Sequence, residues 1–404
     1  MVSGMEMDGS GAPGRWFLGP VEGRHDLPEA LRVEGAFLPV PLPSGDLTLT
    51  VETFRVVADT HLALGALGAL AEAARRLGDV DRIVRLVRHR EVQASARLDG
   101  VPAVLAELFV QELAEVGEGQ ADETLRNYVR AAELGIAAAR QGYELDVELL
   151  GEISALTSGL PAEEAPQWRE DLALVGGLGP TGGFLISSPP GPELVAATAQ
   201  LCSWVASERG MPVVCKVALG FYQAVVLSPM PGSDHAARLW PTMELIRRGI
   251  LPDQILPFTD WFEGQQSEFQ HHLRGVIDRL DLDSWVRFVA TVIQTACRDQ
   301  LRQIAELVQT GDELAGPYVH TTRAAQLVQE LIGNPIINAA RVAQRLGISE
   351  RYARTLLNRL LRDGVLEVVD SKHRGRIYRC RRVLQVYGLI QKTAADSDYR
   401  AFAE

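Results

Sequence analysis

Apolar residues recur at helical spacing along most of the chain, and this pattern predicts a mainly α-helical protein. Between Leu47 and Leu77, and again between Val80 and Leu98, they return every three or four positions. The same spacing predicts helices at 103–113, 125–141, 145–156, 193–209, 239–248, 259–280 and 284–307. The segment Ala218–Leu227 carries no charge, so we expect it to form a helix that is buried on most sides.

Two shorter segments break the helical pattern. The proline-rich stretch from Val33 to Leu47 is expected to be extended. Residues 172–187 contain two short apolar runs joined by Gly and Pro, which is typical of a β-hairpin.

The loop after Leu227 contains Pro229, Pro231 and Gly232, all of which interrupt helices. Ser233 or Asp234 is expected to cap a following helix that runs toward Arg247. A loop that leads into a helix N-terminus is suited to binding an anion, because free backbone N–H groups and the helix dipole converge there.

Near the C-terminus, the pattern resembles a winged helix-turn-helix. Asn338 is predicted to cap a helix at 339–346, and Ser349 a second helix at 350–363; strands at 366–369 and 377–380 flank a basic tip. We expect the second helix to offer four side chains to a DNA major groove, namely Arg351, Arg354, Thr355 and Asn358. The wing would offer Lys372, Arg374 and Arg376 to phosphates.

The charge distribution fits a basic module on an acidic body. The whole chain has a formal net charge of −12, yet residues 335–392 contain 13 Lys and Arg against 4 Asp and Glu. The four cysteines lie far apart and are expected to be reduced structural thiols. We find no signal peptide, and the apolar runs at 61–74 and 217–227 are too short or interrupted to cross a bilayer, so we expect a cytoplasmic protein without a membrane partner.

The segment Ala218–Pro241 resembles the Fic family, whose members mostly transfer AMP from ATP to a protein hydroxyl. The family signature is HPFx[DE]GNGRxxR, set between two helices. Pro229 matches it, whereas Ser228 stands in the place of the His base and Met230 replaces Phe. The segment is about two residues shorter than the usual signature spacing.

A second resemblance lies at the end of the helix predicted at 80–98. Ser95, Asp99 and Gly100 match the family's inhibitory-helix pattern [ST]xxxE[GN], with Asp in place of Glu. Ser95 and Asp99 are four positions apart and share one helix face. In the family, the Glu pairs with the last signature Arg and blocks productive nucleotide binding. The resemblance also implies that the 172–187 hairpin is a flap over the active site.

The family's chemistry requires a base, an acid that holds Mg²⁺, close backbone approach to the phosphates, and an Arg that offsets charge. The catalytic candidates are Ser228, which has no useful basicity, Asp234 as a metal ligand and His235 as a displaced base. Candidates for binding nucleotide phosphates are Gly232, Ser233 and Arg238. By resemblance, the cofactors would be ATP and Mg²⁺; the metal ligands stay unknown.

These observations predict a mainly α Fic-type helical bundle with a small β-hairpin flap and a C-terminal winged helix-turn-helix. The predicted divisions are a tail (1–15), an N-terminal helical region (16–110), a Fic-like core (111–309), a linker (310–330), the winged helix (331–393) and a second tail (394–404).

Three functions remain open from the sequence. The first is a pseudoenzyme that regulates through DNA bound by its winged helix. The second is a repurposed enzyme that acts on another substrate, such as a small molecule, and the third is AMP transfer to a protein hydroxyl. The acceptor, any DNA operator and the state of homo-oligomerisation are left open.

Overall fold

The computed structural model describes residues 13–17, 36–43, 47–76, 80–111, 113, 123–161, 167–175, 185–186, 188–207, 210–318, 320, 322–370 and 376–388. The chain divides into two compact units. The first comprises residues 1–76, 87–103 and 122–298, and the second comprises 77–86, 104–121 and 299–404. Two helices contribute residues to both units.

The N-terminal half begins with two strands and continues with five helices. In chain order these are β1 (Gly14–Phe17), β2 (Ala36–Pro39), α1 (Val51–Arg76), α2 (Val80–Leu98), α3 (Leu105–Gln111), α4 (Glu123–Arg140) and α5 (Val147–Ser158). Next come β3 (Leu174–Val175), β4 (Leu185–Ile186), α6 (Pro192–Ala206), α7 (Val213–Leu227), α8 (Ser233–Arg247), α9 (Phe258–Glu263), α10 (Gln266–Arg279) and α11 (Leu282–Ala315). The C-terminal elements are α12 (Thr322–Gly333), β5 (Ile336–Ile337), α13 (Ala339–Leu346), α14 (Glu350–Arg362), β6 (Glu367–Asp370), β7 (Ile377–Arg379) and α15 (Arg381–Val386).

The core of the first unit forms around α7 and α8. The uncharged segment of α7 is buried as expected, and Phe221 packs against the rings of Phe258, Phe262 and Trp285. A side chain at Gly220 would meet Trp240 of α8, since an added Cβ would lie 2.2 Å from that ring. The glycine therefore permits the close approach of these two helices, which flank the predicted site.

Two antiparallel strand pairs lie in the same unit. In the first, Gly14 of β1 pairs with Pro39 of β2. In the second, Leu174 pairs with Ile186, which confirms an antiparallel strand pair within residues 172–187. The residues that would join β3 to β4 lie outside the described part of the chain.

The helices differ from the sequence prediction in two places. The single helix expected at 259–280 is two helices, because the chain turns at Gly264 and Gln265, where helix-disfavouring Gly ends α9. The helix expected to end at Leu307 instead continues to Ala315, because Thr310 and Leu314 remain buried along the same face. Together with α12, this extension makes most of the predicted 310–330 linker helical.

Among the described residues, one helix is long and apolar enough to cross a membrane by length and composition. It is α1, between Val51 and Ala74. This helix is longer than the apolar run expected at 61–74. One face of α1 packs into the first unit, with Leu64 and Leu67 fully buried.

The second unit ends in a helical module with a three-stranded antiparallel sheet, in the order β5–β7–β6. The side chain of Asn338 accepts from the Arg341 amide at 2.8 Å, and that of Ser349 from the Tyr352 amide at 3.3 Å, so both predicted caps are present. Helices α13 and α14 agree with the predicted bounds to within one residue. Lys372 and Arg374 lie outside the described residues.

Candidate functional site

Helix α7 ends at Ser228 in a backbone conformation that serine rarely adopts. Ser228 has φ 35° and ψ 63°, in the left-handed region, and its amide donates to the Ala224 carbonyl at 3.0 Å. Such a conformation costs energy in a residue with a Cβ, and persists only where neighbouring groups hold it.

Hydrogen bonds from Arg169 stabilise this conformation at the end of α7. Its Nε donates to the Ser228 carbonyl at 2.6 Å, and its guanidinium also donates to the carbonyls of Leu227 (3.1 Å) and Ser188. The Arg169 amide donates to the Pro229 carbonyl at 3.1 Å. Burial lowers the pKa of Arg169 to about 10, against the opposing effect of Asp234. Arg169 thus satisfies the carbonyls of Leu227 and Ser228 at the end of α7. It also connects the segment that precedes the hairpin to the loop that follows α7.

The loop from Ser228 to Gly232, which we call the signature loop, leads into α8. The predicted cap at Ser233 or Asp234 is wrong: Gly232 is the N-cap, and no side chain caps the helix. Gly232 adopts φ 80°, and an added Cβ there would lie 2.5 Å from the Ser154 carbonyl. Ser233 cannot cap because it lies inside the first turn, where its Oγ donates to the Met230 carbonyl at 2.7 Å.

Helix α2 brings two of the predicted inhibitory residues onto α8. Arg238 forms an ion pair with Asp99, with 2.5 Å between Nη2 and Oδ2, and its Nε donates to Ser95 Oγ at 2.9 Å. The Tyr128 hydroxyl donates to the same Asp99 oxygen at 2.7 Å. Gly100 follows with φ 77°, which lets the chain turn away after the helix. Ser95, Asp99 and Arg238 therefore lie together.

His235 is buried in this cluster. Its Nδ1 lies 2.8 Å from Ser95 Oγ, and its ring contacts the edge of Tyr128 at 4.9 Å between centroids. Ser95 Oγ accepts from Arg238 Nε, and whether it donates to His235 Nδ1 or accepts from it depends on the tautomer of the ring. Burial and then Arg238 lower the pKa of His235 to about 3, while Asp99 and the Tyr128 backbone act in the opposite direction.

Asp234 lies in the first turn of α8 and interacts with both arginines. Burial and the nearby Asp99 raise its pKa, whereas Arg238, a hydrogen bond from Ser228 and Arg169 lower it. The site consequently combines two carboxylates, two guanidinium groups and a neutral imidazole. Within the described residues, no group of three or more His, Cys, Asp and Glu side chains could hold a metal ion.

Two residues of the cluster were not among the predicted site residues. Tyr128 lies on α4 and Arg169 lies before the hairpin, and both contact positions that are distant in the sequence. The partners of Arg169 are backbone carbonyl groups, which every residue has, so no sequence pattern could predict this contact. The predicted DNA-contact residues of α14 belong to the second unit, and all four are exposed, namely Arg351, Arg354, Thr355 and Asn358.

Comparisons with known proteins agree with this architecture. Residues 57–137 match the family model described as Fic/DOC family N-terminal. The chain is similar to the crystal structure of a Fic family protein from Desulfovibrio desulfuricans G20, with a TM-score of 0.52 and 18% identity, covering 84% of this chain and 98% of that one. A Fic domain containing signaling protein from Bacteroides thetaiotaomicron VPI-5482 matches with a TM-score of 0.46 and 15% identity, covering 59% of this chain and 97% of that one. No curated protein matches the chain.

Proposed function

We propose that the chain is a Fic-family regulator whose Fic-like core has lost ordinary AMP transfer; the match of residues 57–137 to the Fic N-terminal model and the similarity in fold support the family assignment. The observation that carries this proposal is the chemistry of Ser228 and His235, the two side chains considered for the role of the base. By the sequence resemblance, Ser228 stands where the family has its catalytic His, and the buried His235 has a lowered pKa and a hydrogen bond between Nδ1 and Ser95.

A general base works best when its pKa lies near the working pH and it reaches the proton that it removes. A serine hydroxyl has no such basicity. A histidine with a pKa of about 3 is a weak base, and using Nδ1 would require breaking its hydrogen bond to Ser95. Neither Ser228 nor His235 is therefore a competent base for deprotonating an acceptor hydroxyl.

The residues expected to bind the nucleotide phosphates also differ from what the family's chemistry requires. The N-terminus of α8 would attract a phosphate, but the Asp234 carboxylate lies in its first turn and interacts with Arg238 and Arg169. Pro231 offers no backbone N–H to a phosphate. Arg238 itself is engaged by Asp99 and Ser95.

For these reasons, the residues present do not fit a Mg²⁺–ATP group in this arrangement. Asp99 and Asp234 are the carboxylates of the cluster, and both interact with Arg238. A negatively charged phosphate would have to displace a carboxylate that is part of the chain. We derive no chemical step through ATP.

The regulatory output would come from the C-terminal module, acting as a winged helix on DNA. Its outer face on α14 is exposed and basic, while Leu356, Leu357 and Leu360 pack inward. Arg376, which belongs to the predicted wing, is exposed as well. These residues support the proposal that α14 enters a major groove and the wing contacts phosphates.

A repurposed enzyme is the second candidate, and the strained backbone of Ser228 beside Asp234 favours it, because such strain often occurs at active sites. Protein AMP transfer ranks below both, since it requires the base and the phosphate site together.

The proposal is tested by selecting duplexes from a random DNA pool with the full chain. We expect enrichment of a defined sequence, with binding that weakens as salt increases. Arg354→Ala should reduce that binding, whereas Arg302→Ala, which removes an exposed arginine of α11, should leave it unchanged. If no sequence is enriched while the protein modifies a substrate in a manner that depends on Asp234, the enzyme is the better account.

A further inference from the structure

Helix α14 contains four arginines, and three of them already contact other groups of the chain. Arg354 forms an ion pair with Glu350, with 2.7 Å between Nη2 and Oε2. The guanidinium of Arg359 lies over the Tyr318 ring, with its Cζ 5.2 Å from the centroid. Arg362 Nε donates to a carbonyl of its own helix at 3.3 Å. These three side chains would have to give up or share a contact in order to bind a further ligand.

Arg351 is the remaining arginine, and its side chain is available. It is exposed, and across the described residues its guanidinium forms no hydrogen bond, ion pair or ring contact. Asn358 is exposed as well, and its side-chain amide bonds to no other group in the part of the chain that the structure describes. Both side chains can therefore bind an outside ligand without breaking a contact within these residues.

Thr355 lies between these two residues on the same face of α14. Because side chains three and four positions apart share one helix face, Arg351, Thr355 and Asn358 form a row about 10 Å long, which we call the α14 row. It lies on the side of the helix away from the buried Leu357 and Leu360. The Thr355 hydroxyl donates to the Arg351 carbonyl at 3.1 Å, so its methyl group is the part that remains for an outside contact.

We propose that the α14 row recognises three successive base pairs, with a guanine at Arg351, a thymine methyl at Thr355 and an adenine at Asn358. This inference rests on the proposed function, namely that α14 enters a DNA major groove. Side chains spaced by three or four residues on a recognition helix contact neighbouring bases. Arginine forms two hydrogen bonds with O6 and N7 of guanine, asparagine forms two with N6 and N7 of adenine, and a threonine methyl packs on the thymine methyl.

Charge favours DNA as the occupant of this face. Residues 335–392 contain 13 Lys and Arg against 4 Asp and Glu. Glu350 is the acidic residue of α14, and its pair with Arg354 offsets a charge that DNA phosphates would otherwise repel. Arg354 therefore supports the affinity for DNA of any sequence, whereas the α14 row distinguishes one base from another.

The experiment compares the base preferences of the full chain and of its variants, by sequencing the duplexes that each enriches from one random DNA pool. We expect the wild-type motif to contain a guanine and an adenine separated by one base pair. Arg351→Gln should change the preference at the guanine position to adenine, because glutamine forms the same two bonds with adenine as asparagine does. Asn358→Ala should remove the preference at the adenine position alone.

Binding to single duplexes separates base recognition from general affinity. Replacing the guanine should weaken binding of the wild-type chain by about tenfold, and should have little effect on Arg351→Ala, which has lost the contact already. Arg354→Ala should weaken binding by a similar factor on every duplex. Arg302→Ala, outside α14, should leave both the motif and the affinity unchanged. The substituted side chains are exposed, so each variant should keep the wild-type fold, which circular dichroism checks.

The results also distinguish this inference from the proposed function. An enriched motif that stays the same in Arg351→Gln and Asn358→Ala overturns the assignment of bases to the α14 row, while the DNA-binding function stands. A wild-type motif without guanine and adenine at this spacing has the same meaning. If the wild-type chain enriches no sequence at all, both the proposed function and this inference are wrong.

Discussion

Arg238 of α8 and Asp99 at the end of α2 form an ion pair across 139 positions of the sequence. Their side chains are 9% and 21% exposed, so the pair is shielded from much of the solvent. Ser95 and Tyr128 complete the arrangement by binding the guanidinium and the carboxylate respectively. In this chain, the arginine that the family resemblance assigns to a phosphate is bound to an internal carboxylate.

Removing Asp99 should destabilise the first unit. Asp99→Ala removes the ion-pair partner of a buried guanidinium and leaves Asp234 as its nearby carboxylate, so we expect the free energy of unfolding to fall by about 2–3 kcal/mol. Urea denaturation followed by circular dichroism measures this. Glu133→Ala is the control, since its pair with Arg88 is 53% exposed on the glutamate side and should be worth about 0.5 kcal/mol or less. Equal losses in the two variants would contradict the structural role of the buried pair.

His235 should remain neutral throughout the physiological pH range. Its pKa is lowered to about 3, so its imidazole should show no titration between pH 8 and pH 5. Two-dimensional ¹⁵N–¹H spectra of the ring, recorded across this pH range, report its protonation state. A midpoint close to the ordinary value would show that the ring is open to solvent, and would revive His235 as a base.

Glu91 should make stability depend on pH. Its carboxylate accepts from the amides of Thr259 and Asp260 at 3.0 Å each, yet burial raises its pKa to about 7. Because the folded pKa is raised above the unfolded one, the contribution to stability is complete below about pH 4.5 and is lost as pH rises through 7. Relative to Glu91→Gln, the wild-type chain should lose about 3 kcal/mol over this interval. Parallel pH profiles for the two proteins would show that burial does not disfavour the ionised carboxylate.

The stability of the first unit should depend on the planar geometry of the Arg169 guanidinium as well as on its charge. Arg169→Lys keeps the positive charge, but a lysine cannot donate to the three carbonyls of Leu227, Ser228 and Ser188 from one planar group. We expect the free energy of unfolding to fall by about 2–3 kcal/mol, close to the effect of Arg169→Met. If the lysine variant were as stable as wild type, charge alone would explain the residue.

The order of the elements could be predicted from the sequence because periodicity and capping are local. The caps at Asn338 and Ser349 are examples, since each side chain accepts from an amide three residues ahead. The cap predicted at Ser233 or Asp234 was wrong. Gly232 follows two prolines and can adopt the left-handed conformation that the turn requires, so it takes the N-cap position. The sequence favoured a side-chain cap, whereas the backbone geometry selected a glycine.

The candidate site could be predicted only in part. The spacing of Ser95 and Asp99 placed both on one helix face, but their contact with Arg238 depends on how α2 packs against α8. Tyr128 and Arg169 reach the site through tertiary packing, and Arg169 binds main-chain oxygens that are present at every position. The low pKa of His235 arises from burial and from Arg238, neither of which a sequence motif encodes.

The most direct test of the loss of AMP transfer is calorimetric titration of the purified chain with ATP, with and without Mg²⁺. GTP, UTP and CTP serve as comparison nucleotides. The account predicts no measurable heat of binding for the wild-type chain, and a gain of binding in Asp234→Gly, which removes the internal carboxylate from the start of α8. Tight, Mg²⁺-dependent binding of ATP to the wild-type chain would contradict the account, since a nucleotide would then displace Asp234 and Asp99 without any substitution.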